Sequence, residues 1–118
     1  MNTSTRNIDI RLSGKTADQF IQWWVETHYP SDSELNLFMT QPLDLKRGAI
    51  DAFFRSKNIF VMVNPFQWDK PSFYVEIDQI ENGSNHSIHE DKESDHSPTW
   101  EEAWLRAVEL VNNFINKP

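Results

Sequence analysis

The residues from Trp100 to Ile115 constrain the fold more than any other stretch. Apolar side chains fall at Trp100, Ala103, Trp104, Ala107, Val108, Val111, Phe114 and Ile115, the spacing of one face of a 3.6-residue helix. Thr99 and Glu102 stand where a capping box would open that helix, and Glu101 and Glu102 sit where the helix dipole favours negative charge. Pro98 closes off anything helical before it. A face with two tryptophans must be covered. The rest of the chain is therefore expected to build an apolar surface for it.

The covering elements can be read in order. Ile8, Ile10 and Leu12 alternate with Asp9 and Arg11 as a short half-buried strand, after a frayed polar stretch over residues 1–6. Ser13-Gly14 turns the chain into a helix, with Thr16 and Gln19 as a capping box and Ala17, Phe20, Ile21, Trp24 and His28 on one face; Pro30 ends it. Residues 31–43 fit a short helix capped by Ser31 and Glu34 better than an edge strand through Leu35, Leu37 and Met39. Asp44 is the expected N-cap of a helix over Leu45–Ser56 that buries Ala49, Ile50, Phe53 and Phe54. On its outer side Arg47, Asp51 and Arg55 form an ion-pair ladder. Ile59–Val63, continuously apolar, reads as a strand covered on both faces or at the sheet centre. Ser72–Ile80 alternates, with Phe73, Val75 and Ile77 toward the helices and Tyr74, Glu76 and Asp78 away from them. Residues 81–98 read mainly as a polar acidic and histidine-rich loop, with a weak strand around Ser87-Ile88 as the alternative.

This order, β-α-(α)-α-β-β-loop-α, predicts one α+β domain over residues 1–118. The sheet should be small and antiparallel, of three to four strands, with helices packed on one face. The length suffices for one core without disulfides or a structural metal.

Composition narrows the functional classes. Cysteine is absent, which removes thiolate metal sites and cysteine nucleophiles and suits a reducing, cytoplasmic setting. No stretch approaches the roughly 20 apolar residues of a membrane span, and no leader is evident. A formal charge of −7 argues against direct nucleic-acid binding, which needs a surplus of Lys and Arg. Phosphate loops, nucleophile elbows, His-Glu-x-x-His helices and dinucleotide fingerprints are all missing from the sequence. No enzymatic activity and no cofactor are expected.

Three features remain. Between Glu76 and Glu102 nine acidic residues face one base, Lys92; such a field speeds and selects encounters with a basic protein. Within it, Glu90, Asp91, Glu93 and Asp95 are the expected contact residues. The connection Asn64–Pro71 carries Phe66 and Trp68, aromatics on a loop with the profile of interface anchors. The same acidic stretch holds His86, His89 and His96, ligand types that give a competing reading as a metal-binding protein or small metal-dependent enzyme. A homo-oligomer joined through its tryptophans is compatible with the docking reading.

The run Pro98-Thr99-Trp100-Glu101-Glu102-Ala103 resembles the helix opening of many small phage and bacterial proteins. In the wider sense the chain is similar to bacterial and phage accessory proteins, small, acidic and without catalytic signatures, among them toxin-immunity proteins and inhibitors of host defence. That resemblance implies an immunity or inhibitor role and assigns no residue. The leading expectation is a non-enzymatic domain that docks a basic partner through its acidic side.

Overall fold

The computed structural model describes residues 11–66 and 71–118. Helices α1 (Gly14–His28), α2 (Asp32–Met39) and α3 (Leu43–Ser56) come first. Strands β1 (Ile59–Pro65), β2 (Phe73–Glu81) and β3 (Ser84–Glu90), a 3-10 turn over Glu93–Asp95 and helix α4 (Trp100–Asn116) follow. The strands form an antiparallel sheet in the order β1-β2-β3. The α+β architecture expected from the sequence is thus present. The strand expected over Ile8–Leu12 falls, apart from Arg11 and Leu12, outside the described residues, as does Trp68; Arg11 and Leu12 are not in a strand, and Leu12 is buried in the core.

Helix α4 is the organising element. Ala103, Trp104, Ala107, Val108 and Val111 are buried in one cluster with Val75 and Ile77 of β2, Ile50, Phe53 and Phe54 of α3, and Phe20 of α1. The Thr99 hydroxyl accepts from the Glu102 N–H at 3.1 Å, as its position ahead of the stripe requires. The stripe also carries polar residues that periodicity alone did not reveal. Asn112 accepts from Ser13 N–H and Asn116 accepts from Thr16 N–H, at 2.9 and 3.0 Å. The first turn of α1 is therefore capped by side chains of α4, and Thr16 is not the N-cap that its spacing to Gln19 suggested. Ser13 is the N-cap, and the Thr16 hydroxyl donates to the Asn112 carbonyl. A cap supplied from another helix leaves no local pattern to read.

Other expectations shift in similar ways. Helix α2 forms with the Ser31–Glu34 capping box. Helix α3 starts at Leu43 with Pro42, not Asp44, as N-cap, and buries Lys46 beside Ile50, Phe53 and Phe54. Lys46 Nζ donates to the Met39 carbonyl at 3.0 Å, placing a cation at the C-terminal end of α2. The outer ladder on α3 gives way to contacts to α4 and to an earlier residue of α3 itself. Asp51 accepts from the Trp104 indole N–H at 3.1 Å, and Arg47 pairs with Asp44 and Glu101.

In the sheet, β1 is an edge strand, not the centre. Only Ile59 of it is fully buried. Its apolar run is explained by α3 and α4 against its inner face and by an open hollow of about 350 Å³ on its edge, walled by Phe54, Phe60, Met62 and Ile80. The central strand is β2, whose Val75 and Ile77 are completely buried. The largest correction concerns residues 81–98. Asn82 and Gly83, both with positive φ, make a two-residue hairpin turn that returns the chain as β3. Both faces of β3 are largely exposed, so it has no apolar alternation to betray it.

Candidate functional site

The acidic stretch is ordered by one buried carboxylate. Asp91 follows β3, and its side chain is completely buried. Its Oδ2 accepts from the Val75 N–H at 2.8 Å, taking a ladder position that a strand carbonyl would otherwise fill. Arg106 of α4 grips both carboxylate oxygens, at 2.5 and 2.7 Å, and its Nε donates to the Ser97 hydroxyl. His89 Nε2 lies 2.6 Å from Asp91 Oδ1. Burial pushes the Asp91 carboxyl up, but hydrogen bonds from Arg106, His89 and the Val75 backbone outweigh it and bring the pKa down to about 2. Asp91 was expected on the docking surface. It lines an open cleft on the outer face, and its oxygens are engaged as a clasp between sheet and helix.

Beyond the clasp, Ser97 pairs with Phe73 through two backbone hydrogen bonds, at 2.8 and 2.9 Å. This bridge sets the segment after the 3-10 turn alongside β2. Ser97 turns inward and is buried, while His96 and Tyr74 stand side by side on the outer face, their rings 5.7 Å apart. Phe66 closes the group, 4.6 Å from the His96 ring and 6.1 Å from that of Tyr74. Period-two alternation puts Glu76 on the same face as Tyr74, and the register sets Glu76 directly opposite Glu90.

The result is an open cleft of about 300 Å³ with Phe66, Tyr74 and His96 as aromatic wall and Glu76, Glu90 and Glu93 as carboxylates. Like charges directly opposed on neighbouring strands cost stability. No Lys or Arg is among the described residues lining this cleft. Glu90, Asp91, Glu93 and Phe66, all expected as contact residues, do meet here, Asp91 at the inner wall with both oxygens held by Arg106. Asp95 does not line it; its carboxylate accepts from the Lys92 N–H and ties the 3-10 turn. Tyr74, Glu76 and His96 were not among the expected contact residues. Tyr74 and Glu76 were legible as outward residues of β2, but not as partners of residues 14 or more positions later.

The histidines do not gather as the competing reading required. Among the described residues the group that offers metal-ligand atoms within 4.8 Å of one another is His89, Asp91 and Asp95. His86 and His96 are not in it. Both Asp91 oxygens already carry hydrogen bonds, and the Arg106 guanidinium supplies the positive charge that a metal ion would bring. The donor set fits an internal ion pair better than a cation site.

A second meeting of aromatics and charges lies between α3 and α4. The Arg47 guanidinium is 5.0 Å from the Trp100 ring centre and 5.4 Å from that of Trp104, while bonding to Asp44 and Glu101. Asp51 beside it has its carboxyl pushed up by burial, against the Trp104 hydrogen bond and the nearby Arg55 and Arg47. Trp24 and Trp104 are buried, which takes them out of any surface through which two copies would join. Among the described residues no helix is long and apolar enough to cross a membrane. Comparisons with models of protein families, with curated proteins and with solved structures return no match for this chain.

Proposed function

We propose that this chain is a non-enzymatic binding domain that docks a basic partner protein through its acidic side. A role as an immunity or inhibitor protein of bacterial or phage origin, acting in the bacterial cytoplasm, suits it. The single observation that supports this most is the outer-face cleft, where Glu76, Glu90 and Glu93 surround an exposed Phe66 and half-buried Tyr74 and His96, with no described Lys or Arg among them. The domain holds these carboxylates beside one another at a cost in stability, and a cationic partner removes that cost on binding. The wider run of acidic residues extends the field and draws the partner in.

The test is retention of proteins from the native host on the immobilised domain, run in parallel with a Glu76→Lys/Glu90→Lys/Glu93→Lys variant. The reading expects a basic protein retained by the wild type and lost by the variant. Its association rate should fall steeply as salt rises, because steering fields are screened over about 8–10 Å at physiological ionic strength. Equal retention by both baits, or an on-rate indifferent to salt, would end the proposal.

A further inference from the structure

The cleft is specific enough in shape and charge to name what enters it. Resting on the docking of a basic partner, we infer that the cleft formed by Phe66, Tyr74, His96, Glu76, Glu90 and Glu93 receives one arginine side chain of that partner. Its volume of about 300 Å³ stands at the small end of ligand clefts, about 300–1,000 Å³. It suits one long side chain and not a cofactor. The aromatic wall gathers three rings, Tyr74 and His96 inclined by 32° to one another and Phe66 edge-on to both, and aromatic faces attract a cation. The carboxylates come from β2, β3 and the following turn, and so approach from several directions.

A guanidinium answers this arrangement better than an ammonium. It is planar, stacks on rings, and spreads five donors around its edge, enough to serve carboxylates on two strands at once. The protein solves the same problem twice with its own arginines. Arg47 lies over Trp100 and Trp104 while bridging Asp44 and Glu101. Arg106 uses its fork on Asp91 and its remaining Nε on Ser97. In the cleft the rings and carboxylates are in place, and the arginine comes from outside.

The experiment uses three short neutral-ended peptides, identical except for a central arginine, citrulline or lysine, titrated into the full chain and followed by NMR. Citrulline keeps the planar shape and removes the charge. The arginine peptide should shift the Phe66, Tyr74 and His96 ring signals and bind at least ten-fold more tightly than the citrulline peptide and several-fold more tightly than the lysine one. Tyr74→Ala should weaken it at least five-fold; Glu93→Gln, a surface change that cannot endanger folding, should weaken it about three-fold. Equal binding of arginine and citrulline, or of arginine and lysine, overturns the assignment. Arginine and lysine peptides that bind alike, with shifts spread over the acidic face and not the cleft, overturn it too while leaving the docking reading intact. Absence of any cation binding removes both.

Discussion

Two of the places where aromatic rings meet carboxylates among the described residues differ in one respect. Between α3 and α4, Arg47 fills the space over Trp100 and Trp104, and its carboxylates, Asp44 and Glu101, come from different helices. That arrangement ties helices together. On the outer face of the sheet, Tyr74, His96 and Phe66 stand with Glu76 and Glu90 on neighbouring strands, and no described arginine fills the space. The same set of chemical groups is structural where the cation is internal and stands open to solvent where it is not. Strand β2 joins the two sides: its inward residues, Val75 and Ile77, pack in the core with α4, and its outward ones, Tyr74 and Glu76, line the cleft.

Damage should therefore sort by side. Trp104→Ala, which removes a fully buried indole from the α4 side, should cost about 3–5 kcal/mol in urea unfolding. Arg106→Ala leaves the buried Asp91 carboxylate without its main partner and should cost about 3 kcal/mol. The wild type should reveal the same clasp by pH. Because the Asp91 pKa is depressed to about 2, its contribution is complete above the unfolded-state value near 4 and fades as pH falls from about 4 through 2. Chemical denaturation across that range should show the loss, and Arg106→Ala should lack most of it. Arg47→Ala, at a site partly open to water, should cost only about 1 kcal/mol, because exposed ion pairs and cation–π contacts are each weak. Asp51→Asn should be smaller still and opposite in sign. Its carboxyl is raised by burial, so ionisation at neutral pH opposes folding, and an amide oxygen can still accept from Trp104. A clear loss in Asp51→Asn would mean that the charge beside Arg55 and Arg47 matters more than its burial.

How far the sequence reached follows from where each signal resides. The α4 stripe, the α1 face, the α2 capping box and the alternation of β2 are local and periodic, and all appear in the structure. What escaped is non-local or polar. The α1 cap comes from Asn112 and Asn116, about a hundred residues away, and the Asp91 clasp from Arg106 on another element. Strand β3 has polar residues on both faces, because it is an edge strand with little to cover it. One local sign of it was present. Asn82-Gly83 is the dipeptide best suited to a tight hairpin, since both residues must take positive φ. Reading it as a turn would have returned the chain as β3 but paired Glu76 with His89; the register shift between Ile77 and Asp78, which the sequence does not announce, is what brings Glu90 opposite Glu76. The acidic run was visible from composition, but which of its members face outward was not. That depends on the backbone turning Ser97 in and His96 out.

The most direct test is one substitution read two ways. Glu90→Lys places a base opposite Glu76, replacing a repulsive cross-strand pair by an attractive one, and it puts an internal cation at the mouth of the cleft. Opposed charges on neighbouring strands are worth about 0.2–1 kcal/mol. The variant should therefore melt slightly higher than the wild type while binding the arginine peptide at least ten-fold more weakly. A cleft that merely belongs to a solvated surface gives a different result: melting unchanged or lower, with cation binding undiminished. That outcome would contradict the account.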